Sequence, residues 1–140
     1  MSTRKTVLAL EAVFDKANII QEGPIDVAPE DNQRNEPEPD VMVLRIPYGE
    51  IARNPRPFEI ALVVEIADSS LSQDLTTKAR LYARASIQEY WVVDLKNRRL
   101  HVFRDPSKDG YERRFEAGET DSVAPLERPE HMIAVATLLG

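Results

Sequence analysis

The chain has 140 residues, of which 42% are hydrophobic and 30% charged, with a formal net charge of −6 and no cysteine. That length suits one ordinary domain, and the composition is that of a folded protein. Disulfides, thiolate nucleophiles and cysteine-ligated metal centres are excluded, and an acidic chain is a poor coat for nucleic acid.

Val7, Leu8, Leu10, Ala12, Val13, Phe14 and Ala17 predict a short amphipathic helix over about residues 5–17. An extended stretch comes next, from Asn18 through Val27. Residues 28–39 (APEDNQRNEPEP) are polar and proline-rich, and predict a surface loop. VMVLRI, residues 41–46, reads as a buried strand. Three prolines and Gly49 make residues 47–58 a loop. EIALVVEI, residues 59–66, is the most hydrophobic stretch and predicts a central strand, with Asp68, Ser69 and Ser70 placed to cap the next helix. That helix is expected over residues 71–85, because Leu71, Leu75, Ala79 and Tyr82 form one stripe. EYWVVDL (89–95) and RLHVFRD (99–105) predict a hairpin, and Tyr111 to Phe115 a further edge strand. The apolar tail from His131 to Leu139 fits either a strand end or a short helix. The order predicts one α/β domain over residues 1–140, with helices around a mixed sheet.

No apolar run approaches the ~20 residues that a membrane span needs. The first fourteen residues read poorly as a signal peptide, so the cytoplasm is the expected compartment. Charge is uneven along the chain: residues 78–114 hold ten basic and five acidic side chains, against seven and fourteen in residues 1–77. A basic middle of this kind can line a phosphate path beside carboxylates, or can be a solvated helix face with charged hairpin edges.

Three ionisable residues stand out. Asp40 follows a proline at the mouth of a strand. Glu65 lies near the end of the most apolar strand, where a buried carboxylate needs a cation. Lys78 lies thirteen residues later, beside the buried stripe. Two carboxylates at the ends of adjacent strands suit a hard divalent ion, and a nearby lysine suits orienting water against a phosphate. Each residue also has a plainer reading. Asp40 can cap a turn, Glu65 can face solvent on a strand edge or pair with a basic side chain, and Lys78 can form an i,i+4 pair with Asp74 on an exposed face.

The run PD-VMVLR, ALVVEIADSS, D-LTTK-ARLYA, EYWVVDL and RLHVFRDP resembles the Uma-two family of restriction endonucleases, within the PD-(D/E)XK nuclease superfamily. The resemblance spans roughly residues 7–106. It implies a restriction-endonuclease-like fold, with a central mixed sheet flanked by helices and the active site at one sheet end. It implies that Asp40, Glu65 and the carbonyl of Ile66 bind Mg²⁺ (or Mn²⁺), that Lys78 positions the attacking water, and that the substrate is DNA. The superfamily's usual lysine falls at position 67, which is Ala67 here, so Lys78 takes that part from the following helix. An additional acidic residue usual ahead of the first helix is missing, with Glu11 or Glu22 as substitutes. These departures leave a second reading open: an inactive nuclease fold serving as a binding or assembly module.

Arg80, Arg84, Arg98 and Arg99 are the expected phosphate-facing cations. His101 and His131 are too far apart for a metal pair, and His101 reads as a surface residue. Ser69 and Ser70 lack a histidine–aspartate partner, and there is no glycine-rich phosphate loop. Of Tyr90 and Trp91, which alternate across a strand, one should fill the core and the other meet a helix or solvent, with base stacking the alternative. Edge strands and the apolar tail make a homodimer the expected assembly.

Overall fold

A computed structural model describes residues 2–26, 38–51 and 53–140. The chain runs α1 (Ser2–Glu11), β1 (Ile19–Gln21), β2 (Val41–Leu44), β3 (Ile60–Ala67), α2 (Leu71–Leu75), α3 (Thr77–Arg84), β4 (Glu89–Asp94), β5 (Arg99–Ser107), β6 (Gly110–Gly118), β7 (Ser122–Val123), β8 (Ile133–Ala134) and α4 (Val135–Leu139). Strands β1 to β6 form one sheet in sequence order, while β7 and β8 pair separately. Every neighbour in the large sheet is antiparallel except β3 and β4, which are parallel. Parallel neighbours need a crossover, and α2 with α3 supplies it. The α/β class and mixed sheet therefore stand as expected.

Helices cover both faces, which is why β2, β3 and β4 read as largely apolar runs with no polar alternation. On one face Val43, Leu62, Val64, Trp91 and Val102 pack with Leu10 of α1 and Leu138 of α4. On the other, Met42, Val63, Ala67, Tyr90 and Phe103 lie with Ala79 and Tyr82 of α3. Tyr90 and Trp91 are both wholly buried, one on each face, so neither is available to stack on a base. Beside Trp91 the buried Glu89 accepts from Trp91 Nε1 (2.9 Å), Arg104 Nε (2.9 Å) and the amide of Leu126 (2.9 Å). That cluster ties the segment after β7 to the sheet.

Several boundaries differ from expectation. Helix α1 stops at Glu11, because the amides of Val13 and Phe14 both turn back to the Leu10 carbonyl and carry Phe14 into the core. Strand β1 ends where Glu22 takes a φ of +54°. The helix expected over 71–85 is broken at Thr76 (φ −118°, ψ −78°), whose hydroxyl donates to the Ser72 carbonyl at 2.7 Å. Such back-bonding by a β-branched residue bends helices. Ser70 precedes α2 but caps no backbone amide with its hydroxyl. The tail resolves into both alternatives in series, β8 and then α4. Most of the loop expected over residues 28–39, and Val27 before it, lies outside the described residues. Among the described residues no helix is long and apolar enough to cross a membrane.

Candidate active site

Register brings the first two predicted residues together. Val41 pairs with Val64, so Asp40, one residue before β2, falls opposite Glu65. The two are interlocked through the backbone: Asp40 N–H donates to Glu65 Oε1 (3.2 Å), and Ile66 N–H donates to Asp40 Oδ2 (2.7 Å). Glu65 is on the face covered by α2 and α3, because its neighbours at two-residue spacing, Val63 and Ala67, are in that core. From α3, Tyr82 OH donates to Glu65 Oε2 at 2.8 Å, and Lys78 Nζ stands 3.4 Å from the same oxygen. Asp40, Glu65 and Lys78 thus converge from three elements on one place.

Electrostatics there are unusual. The Glu65 side chain is 2% exposed. Burial pushes its pKa up to about 7, against the opposing pull of Lys78 and of the Tyr82 hydroxyl. Burial also works against the Lys78 ammonium, but Glu65 and then Asp74 outweigh it, and the lysine's pKa lies above its usual value. The Tyr82 hydroxyl is held far above the ordinary tyrosine range by burial and by Glu65. Asp40, Glu65 and Asp74 set three carboxylates against one ammonium.

Two participants at the site go beyond the sequence expectation. Asp74, 1% exposed, places Oδ1 3.2 Å from Lys78 Nζ and accepts from Ser70 Oγ at Oδ2 (2.8 Å). Lys78 therefore makes the plain i,i+4 pair and the contact with Glu65 at once. Tyr82 is legible in the sequence only as part of the buried stripe. The spacing Asp74, Lys78, Tyr82 is the signal that could have joined them, since residues four apart share a helix flank.

Other expectations change. His101 is buried, not on the surface, because it shares with its partner Val92 the face that α3 covers, and Asp94 Oδ2 meets its Nε2 at 3.0 Å. Burial pushes the Asp94 carboxyl up, but that bond and those from the side chain and amide of Asn97 hold it below its usual range. His131 is exposed, as a lone histidine. Arg98 is engaged by Glu119 (2.6 Å) and Arg99 by Glu116 (3.9 Å), so their charges are matched by surface carboxylates. Arg80 is exposed on α3. Glu11 and Glu22 line a cleft between α1 and β1 with Arg4 and Lys16. The Glu22 amide bonds the Asp40 carbonyl (3.0 Å), but neither glutamate carboxylate bonds Asp40, Glu65 or Lys78. Ala67, where the superfamily lysine would stand, is wholly buried.

Among the described residues no three His, Asp or Glu side chains are grouped as a ready metal cage. The donor set still fits a hard divalent ion. Asp40 Oδ1 carries no hydrogen bond among the described residues, and Glu65 Oε1 accepts only one. Each carboxylate oxygen has two lone pairs, so both retain capacity on an anionic site.

No curated protein matches the chain. Among solved structures it resembles a crystal structure from Anabaena variabilis described as a "putative nuclease belonging to DUF820", with a TM-score of 0.67 and 18% identity over 99% of this chain and 78% of that one. The likeness establishes a shared nuclease-like fold. A family model described as "Putative restriction endonuclease" matches residues 6–135. The chain, with its Asp40 and Glu65 strands and its lysine-bearing crossover all inside that span, belongs to the Uma2 family.

Proposed function

We propose that the protein is a metal-dependent endonuclease that hydrolyses DNA phosphodiester bonds. The carrying observation is the meeting of Asp40, Glu65 and Lys78 at the end of β3, with a buried carboxylate in net negative surroundings. Asp40, Glu65 and the main-chain carbonyl of Ile66 would hold Mg²⁺, or Mn²⁺ in its place. When bound, the ion supplies charge neutralisation at the phosphate and a more acidic water. The chain's own residues do the rest. Lys78, held beside Glu65, would supply an ammonium to the negative charge that develops on the phosphate. Tyr82 fixes the Glu65 carboxylate from behind, and the Ile66 amide fixes Asp40.

A cytoplasmic homodimer, with the long edge strand β6 and the exposed Phe58 and Met132 as candidates for cover, completes the proposal. Light scattering after gel filtration tests the assembly. Supercoiled plasmid nicking with and without Mg²⁺ tests the chemistry. Asp40→Ala and Glu65→Ala should each abolish nicking while the thermal transition persists. Full activity in both variants would refute the assignment. A wild-type protein that neither nicks DNA nor binds Mn²⁺ would leave a nuclease fold used as a binding module.

A further inference from the structure

We infer that Asp74 is the positioning residue for Lys78, the tether that keeps its ammonium at the site once a cation is bound; the inference rests on the nuclease reading above. A lysine carried on the same strand as the glutamate would be held by the sheet. Here the amine arrives from α3 on a flexible four-carbon stem, and its side chain is 39% exposed. Its contact with Glu65 is the one that a divalent ion weakens, because an ion on Asp40 and Glu65 shares the glutamate's charge and repels the ammonium. Asp74 lies outside that pair.

The local structure is built for the purpose. Asp74 is 1% exposed, and its Oδ2 is fixed by Ser70 Oγ at 2.8 Å. Its carbonyl accepts from Tyr90 OH at 2.8 Å, which pins the end of α2 to β4. Oδ1 is buried without a well-formed hydrogen bond, and the ammonium at 3.2 Å is its counter-charge. An ordinary i,i+4 pair sits on an exposed face and is weak. A buried carboxylate oxygen turned wholly toward one lysine is costly to keep, and holding that lysine is what it does.

The test is a double-mutant cycle on Mg²⁺-dependent plasmid nicking, joined to a direct view of the ammonium. Lys78→Met should slow turnover ~100-fold or more, within the range for losing one group that stabilises developing charge. Asp74→Asn should slow it roughly 10- to 100-fold with KM for DNA unchanged, and the double variant should be no slower than Lys78→Met alone. Losses that multiply would overturn the inference. In ¹H–¹⁵N spectra the Lys78 ammonium signal, assigned by its loss in Lys78→Met, should persist at saturating Mg²⁺ in the wild type and vanish in Asp74→Asn. Persistence in Asp74→Asn would overturn it as well. Should Asp74→Asn fail to fold, Ser70→Ala frees the same carboxylate and should slow turnover several-fold only when Lys78 is present. A wild type that shows no nicking refutes the nuclease reading alone, because the ammonium spectra still decide whether Asp74 holds Lys78.

Discussion

Glutamine in place of Glu65 should make the metal-free protein relatively more stable as pH rises. Burial lifts the carboxyl from 4.5 to about 7 in the folded state. Between those values the folded chain binds a proton that the unfolded chain has lost. Stability from this group is therefore fully present below pH 4.5 and declines as pH rises, with the loss complete above about 7. At about 1.4 kcal/mol for each tenfold change, the loss is roughly 3 kcal/mol. Glu65→Gln cannot lose a proton, so its stability relative to wild type should climb by that amount from pH 4.5 to pH 8. With roughly 2–4 °C per kcal/mol for a chain near this size, the gap in Tm should widen by roughly 6–12 °C. Thermal unfolding of both proteins in EDTA, at unit steps of pH, reads the effect. The bonds that glutamine remakes or loses to Lys78, Tyr82 and Asp40 add an offset, and titrating groups not coupled to Glu65 cancel in the difference. A gap that stays flat, or narrows with rising pH, would refute the buried, proton-hungry glutamate.

The same geometry governs other measurable outcomes. Mg²⁺ affinity, measured by calorimetry, should rise about tenfold per pH unit below 7 and level off above it, because the ion and the proton compete for Glu65. Tyr82→Phe removes the 2.8 Å donor to Glu65 and should move that carboxyl's pKa, read by NMR titration, further upward. Arg104→Met leaves Glu89 buried without its cation and should cost about 3–5 kcal/mol in urea unfolding, with Glu89→Gln restoring much of it. Arg98→Ala, at an exposed and solvent-screened pair with Glu119, should leave the urea midpoint where it is in the wild type.

The parts of this protein legible in the sequence are those that local pattern controls. The run from Glu59 to Ile66 announces a strand buried on both faces, and a glutamate inside it announces a need for a cation. Lys78 is visible as a charge beside a buried stripe. Asp74 is visible only as the i,i+4 partner of Lys78 and Tyr82 only as part of the stripe; their meeting with Glu65 comes from the parallel pairing of β3 with β4, which lays the crossover over Glu65. His101 misleads for a related reason: alternation cannot tell a solvent-facing position from one beneath a helix with an aspartate to meet it. The break at Thr76 arises from one hydroxyl's choice of the Ser72 carbonyl, which the apolar stripe running through it conceals.

Ala67 carries a consequence for where a cation can enter this site. It is sealed in the core beneath the crossover, so the room that a longer basic residue would occupy on that strand has been filled by helix. Placing an amine at Ala67 while deleting the one at Lys78 would not simply swap one geometry for the other. The longer side chain would first have to lift α2 and α3 off the sheet. The interior itself thus bars a basic side chain from this strand position and leaves the crossover to supply it.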